Sequence, residues 1–208
     1  MKLQIALDEL SIDQGIALCR TVRGYIDIIE IGTPFIVREG LHAVRAFRRE
    51  FPDKEILADA KIMDAGGAEA ADCFESGADY VTVLAVTDIL TVRACVDTAE
   101  RYRGRIVADM ICVAELEKRI AELEEAGIRD IAVHTGIDQQ RAGRTPLQDL
   151  RRMRACTGRS LISVAGGINS DTAEQYKQAG ADIVIVGGAI AHAADPAAAA
   201  RAIAEKIH

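Results

Sequence analysis

GADYVTV at 77–83, GIRDIAV at 127–133 and GADIVIV at 180–186 repeat one pattern: a glycine, an acidic residue, then a run of β-branched and other apolar side chains. Glycine after a helical stretch suits the left-handed residue that closes a helix. A near-continuous apolar run suits a strand buried on both faces, as in a parallel sheet. Each copy therefore reads as a helix stop followed by a parallel strand. Runs of this kind occupy 3–8, 26–31, 55–60, 80–85, 105–111, 130–135, 161–165 and 182–187. They begin 21 to 31 residues apart, the length of a strand, a helix and two short loops, and the stretches between them have helical spacing. Helix starts are marked by Ser170 with Asp171 and by Asp195 before Pro196. Eight βα units without a linker or a composition break predict one α/β domain over 1–208, a closed (β/α)8 barrel rather than an open doubly wound sheet.

Composition narrows the partners. The 32 acidic and 25 basic residues give a net charge of −7, with no tryptophan and eight other aromatics. Nucleic-acid binding needs a basic face or stacking rings, so no nucleic-acid partner is expected. Five scattered cysteines, Cys19, Cys73, Cys95, Cys112 and Cys156, contain no CxxC pair and read as reduced, core-filling residues. The apolar stretch of MKLQIALDEL is cut at Asp8, too short for a signal sequence or a span. A cytoplasmic protein with no membrane partner is expected.

A barrel of this class builds its active site from the C-terminal strand ends. Those ends carry Asp8, Glu30, Asp59 with Lys61, Asp109 and His134. In ADAKIMDAG (58–66), Asp59 and Lys61 are two apart on a strand and project to one side, with Asp64 in the turn beyond. An isolated pair of this kind is nearly neutral in energy; its significance comes from the other polar ends that converge on it. His134, after DIAV, faces the charged set, whereas His42, His192 and His208 have no such context. Asp109 is placed either to orient Lys61 or to support the site from behind it, and Met63, Met110 and Cys112 read as packing residues.

Strands seven and eight run into VAGGIN (164–169) and IVGGAI (185–190). Gly166, Gly167, Gly187 and Gly188 would let backbone N–H groups approach an anion, and the loops after these two strands form the usual phosphate site of such barrels. Asp8, Glu30, Asp59 and Asp64 outnumber Lys61, and a phosphorylated substrate adds further negative charge. A cation is expected to join them. Carboxylates without cysteine select a hard ion, Mg²⁺ or Mn²⁺, with Glu30 and Asp59 as candidate ligands.

DxKxxD on strand three, Asp8 in ALD, Glu30 in EIGTP, His134 and the two glycine pairs together resemble the orotidine 5′-monophosphate decarboxylase superfamily, in particular its 3-hexulose-6-phosphate synthase branch. The resemblance runs from LQIALDE to HAADPAAAARAI. The nucleotide decarboxylases have lysine in place of Glu30, so the glutamate fits the metal-dependent branch. The sister branch, 3-keto-L-gulonate-6-phosphate decarboxylase (KGPDC), has arginines where this chain has Ile137 and Gly188.

The resemblance implies condensation of D-ribulose 5-phosphate with formaldehyde to D-arabino-hex-3-ulose 6-phosphate through a Mg-stabilised ene-diolate. It assigns the metal to Glu30 and Asp59, the C1 proton to His134 and the developing charge to Lys61, with Asp8 and Asp64 completing the catalytic set. It further implies a homodimer in which Asp64 reaches the partner's site. The sister decarboxylase shares this chemistry and is the leading alternative. A phosphopentose epimerase would draw histidine ligands from several strands, and a non-catalytic sugar-phosphate-binding barrel would not need the full acid, base and metal set.

Overall fold

Alternate residues of each predicted strand separate into two apolar sets, and these sets define the two sides of a wall. The computed structural model describes residues 1–143 and 145–208, and the side chains of Ile137 and Gln140 also lie outside the description. Eight parallel strands form a closed ring in chain order, β1 (Lys2–Leu7), β2 (Ile28–Ile31), β3 (Glu55–Ile62), β4 (Tyr80–Leu84), β5 (Arg105–Asp109), β6 (Asp130–His134), β7 (Leu161–Ala165) and β8 (Ile183–Val186), with β8 paired to β1. Leu3, Ile5, Leu7, Ile29, Ile31, Val81, Val83, Val164 and Val184 point outward and merge with the helices into one large core. Ile28, Leu57, Tyr80, Val107, Ala132 and Ile183 form a separate inner cluster. Side chains that alternate faces fill both places from the same strands.

The helices are α1 (Ile12–Val22), α2 (Thr33–Glu39), α3 (His42–Glu50), α4 (Gly66–Glu75), α5 (Ile89–Tyr102), α6 (Leu116–Glu125), α7 (Ile137–Arg141), α8 (Leu147–Cys156), α9 (Ala173–Gln178), α10 (Gly188–Ala191) and α11 (Pro196–Ile207). Gly77, Gly127 and Gly180 lie at φ +100°, +102° and +90°, the conformation the repeat requires. The acids after two of them have a structural task. Asp79 accepts from Ile56 N and Asp182 from Ile162 N, as Asp27 does from Leu3 N, so each satisfies the N–H of the second residue of the preceding strand. Asp130 instead points inward and holds Arg105 through two hydrogen bonds of 2.8 Å.

Asp195 caps α11 with Pro196 at the first turn, as expected, and Ser11, not singled out in the sequence, caps α1 through a reciprocal box with Gln14. The helix start expected at Ser170 and Asp171 lies later: α9 begins at Ala173, because Asn169 Oδ1 accepts from both Asp171 N and Thr172 N and holds those residues in a turn. Cys19, Cys73 and Cys95 are buried, whereas Cys112 is exposed and Met63 is 52 % exposed, so these last two are not the packing residues expected of them. Among the described residues no helix is long and apolar enough to cross a membrane.

Candidate active site

Strand register brings the charged residues together, and β3 departs from plain alternation to do so. Its pairing with β4 runs Leu57↔Tyr80, Ala58↔Val81 and then Ile62↔Val83, so Asp59, Ala60 and Lys61 share the space opposite Thr82. Lys61 adopts the left-handed region at φ +48°. Asp59 and Lys61 do meet, with Lys61 Nζ 2.6 Å from Asp59 Oδ2, but through this bulge and not through simple period-two geometry. Thr82 Oγ1 lies 2.8 Å from Asp59 Oδ1 and accepts from Lys61 N at 2.9 Å. Thr33, the first residue of α2, places its hydroxyl 2.8 Å from Asp59 Oδ2.

A chain of ions crosses the barrel mouth. Lys61 Nζ is also 3.3 Å from Asp109 Oδ2, and the same oxygen is 2.8 Å from His134 Nδ1. A carboxylate only accepts, so His134 donates from Nδ1 and leaves Nε2 as its basic nitrogen. Burial alone would raise the Asp109 carboxyl, but the hydrogen bond from His134 and the charge of Lys61 hold it below the ordinary aspartate range. Burial alone would lower the Lys61 ammonium, and Asp59 and Asp109 outweigh it, keeping the group above the usual lysine range.

Glu30 and Asp8 stand on the neighbouring strand ends. Glu30 is buried and receives Gln4 Nε2 on Oε2 at 2.6 Å. Burial and the nearby charge of Asp59 push its carboxyl up to about 8. The same two causes raise Asp8. A methyl group on Gly32 would stand 2.0 Å from Asp8 Oδ1, so glycine at the start of α2 leaves the carboxylate its place. Among the described residues, no three His, Cys, Asp or Glu side chains form a ready-made metal cage. The donor chemistry nevertheless fits a hard cation, because Asp8, Glu30 and Asp59 bring carboxylate oxygens to neighbouring strand ends and water or substrate oxygens can complete such a shell.

Asp64 stands apart from this chain. It is exposed and accepts from Ala65 N at 2.7 Å, while the ion partners of Lys61 within the chain are Asp59 and Asp109. Gly166 and Gly167 lie at φ +129° and +66° and are required by their turn. Gly187 and Gly188 have no positive φ, so the turn itself does not demand them, and their lack of side chains leaves the backbone open to a ligand. Ile137 opens α7, with its side chain outside the described residues.

Thr33, Thr82 and Gln4 join the site without having been read as members of it. One sequence signal existed for Thr82: in the repeat, its place is held by Ala132 and Ile185 in the other copies, so a hydroxyl there breaks an apolar pattern on an inward-facing position.

Known proteins resemble this chain in sequence and fold. A model of the Orotidine 5′-phosphate decarboxylase / HUMPS family matches residues 1–203. A 3-hexulose-6-phosphate synthase of Bacillus subtilis (strain 168) is 43 % identical over 197 residues, which cover 95 % of this chain and 94 % of that one. The crystal structure of 3-hexulose-6-phosphate synthase from Salmonella typhimurium aligns with a TM-score of 0.98 at 51 % identity, over 100 % of this chain and 98 % of that one. A crystal structure of KGPDC from Streptococcus mutans aligns with a TM-score of 0.92 at 30 % identity, over 99 % and 96 % of the two chains.

Proposed function

The chain is a lyase of the Orotidine 5′-phosphate decarboxylase / HUMPS family, and we propose that it condenses D-ribulose 5-phosphate with formaldehyde to give D-arabino-hex-3-ulose 6-phosphate. The observation that carries this reading is the continuous chain Asp59, Lys61, Asp109, His134, which joins a base to a fixed positive charge across the mouth of the barrel. The higher identity to the synthase than to KGPDC supports the choice of reaction, as do Ile137 and Gly188 at the places where the decarboxylase branch has arginine.

In this mechanism His134 Nε2 takes the C1 proton of the ketose, with Nδ1–H held by Asp109 so that one tautomer faces the substrate. Lys61 offsets the negative charge that develops as C1 loses its proton, and Asp59 fixes the ammonium. C1 then attacks the carbon of formaldehyde; the C=O electron pair moves to oxygen, which takes the proton that His134 Nε2 had removed from C1, returning the imidazole to its neutral form. Asp8 supplies an acceptor for substrate hydroxyls. Glu30 and Asp59 would hold Mg²⁺ or Mn²⁺, which when bound supplies Lewis-acid polarisation of the ketose oxygens. The backbone around Gly166, Gly167, Gly187 and Gly188 anchors the phosphate, giving binding energy away from the reacting carbon.

A homodimer completes the reading. Asp64 is exposed beside Met63, itself 52 % exposed, where a second copy would cover both. Assay of the purified protein with ribulose 5-phosphate, formaldehyde and Mg²⁺ tests the whole: the hexulose phosphate should accumulate, chelation should abolish turnover, and Mg²⁺ should restore it. Full turnover in excess chelator, with negligible metal content, would refute the metal assignment. A higher kcat/KM for decarboxylation of 3-keto-L-gulonate 6-phosphate would transfer the chain to the sister activity.

A further inference from the structure

Between Ala58 and Ile62, β3 carries three residues where β4 carries one, Thr82. An insertion of this size takes backbone groups out of the sheet ladder, and each must find another partner if it is buried. Lys61 N finds Thr82 Oγ1 at 2.9 Å. A hydroxyl has a single proton. Because its oxygen already accepts from Lys61 N, that proton is available to Asp59 Oδ1, 2.8 Å away. One buried hydroxyl thus ties the left-handed backbone of Lys61 to the carboxylate that grips the Lys61 ammonium. Thr33 holds the other oxygen of Asp59, but its hydroxyl is directed to Asp59 O and Oδ2, while Lys61 N is held by Thr82.

We propose that Thr82 is a positioning residue for the reaction: its hydroxyl closes the β3 bulge and sets Asp59 and Lys61 in mutual register, so that the ammonium is aimed where charge develops. This rests on the reading that Asp59 and Lys61 act on the sugar phosphate. Both hydrogen bonds run through the oxygen, so serine should serve where valine, with the same shape, should not. A misaimed charge weakens an interaction made chiefly in the transition state, so the loss should fall on kcat.

The test compares Thr82→Val and Thr82→Ser with the wild type for kcat, for KM with ribulose 5-phosphate, and for thermal unfolding. Thr82→Val should lose at least about tenfold in kcat with KM changed less than about threefold, and Thr82→Ser should stay within about threefold in both. Thr82→Ala, read the same way, stands in if the valine variant does not fold. A Thr82→Val protein that melts earlier yet turns over at the wild-type rate would reduce Thr82 to a structural role and overturn the proposal. Lys61→Ala in the same series separates the two levels. If Lys61→Ala is inactive while Thr82→Val is fully active, this inference fails alone; if Lys61→Ala keeps wild-type kcat, the reading beneath it fails.

Discussion

His134 and Lys61 are joined through a single oxygen of Asp109, and this makes their roles separable by experiment. Lys61→Ala and His134→Ala should remain folded and lose about a hundredfold or more in kcat, with smaller changes in KM, because both act on charge or protons that move during the reaction. Exchange of the C1 proton with solvent isolates the base step: His134→Ala should lose it, and wild-type exchange in that variant would remove histidine from the role. Glu30 gives a prediction about stability. Its carboxyl is raised from 4.5 to about 8 in the folded protein, so the folded state keeps a proton that the unfolded chain releases. The stability it contributes is full below 4.5 and is lost as pH rises towards about 8. Metal-free protein should therefore melt at a lower temperature at about pH 9 than at about pH 5, and Glu30→Gln should show a flatter profile. Parallel profiles would contradict the assignment. Asp109, held low, acts in the opposite sense and loses its contribution on acidification. The charged members of this site were legible from sequence because strand ends of one polarity share one mouth. Thr82 and Thr33 were not, since a lone hydroxyl acquires its meaning only from the register that places it against Asp59.

Strands were legible as elements because burial on both faces leaves few polar interruptions. All eight expected runs coincide with strands, and the discrepancies lie at their ends. The second begins at Ile28 and not at 26, since Asp27 is engaged in capping Leu3 N. The third extends to Ile62, two residues beyond its expected end, because the bulge adds length that no apolar pattern announces. The loop after β8 and the start of α7 carry the prediction at this scale. Ile137→Arg with Gly188→Arg should raise decarboxylation of 3-keto-L-gulonate 6-phosphate relative to condensation with formaldehyde, since arginine brings a fixed charge and a fork of donors from which a small neutral aldehyde gains nothing. A Cβ at 188 would lie 3.3 Å from His192 Nδ1, so that ring must give slightly to admit the new side chain. The measurement is the ratio of the two kcat/KM values, and an unchanged ratio would show that these positions do not set the choice.

At the scale of the assembled molecule, the proposed homodimer, with Asp64 serving the partner's site, has a direct test. Mixing Lys61→Ala chains with Asp64→Ala chains should produce heterodimers with recovered activity, because one of the two mixed sites then receives both native residues. A verified heterodimer without recovery would mean that Asp64 works within its own chain or not at all. Such sharing was not readable from periodicity or composition, which report what a side chain does inside its own fold; only the resemblance pointed to it. The pairing of β1 with β8 has a different consequence. Within the barrel, β1 leaves the ribosome before β8, so the nascent chain carries two open sheet edges, at β1 and at the most recent strand, until residues 183–186 emerge. Ring closure therefore requires β8 as well as β1, and α11, which follows β8 and packs against α1 and β1, covers the seam.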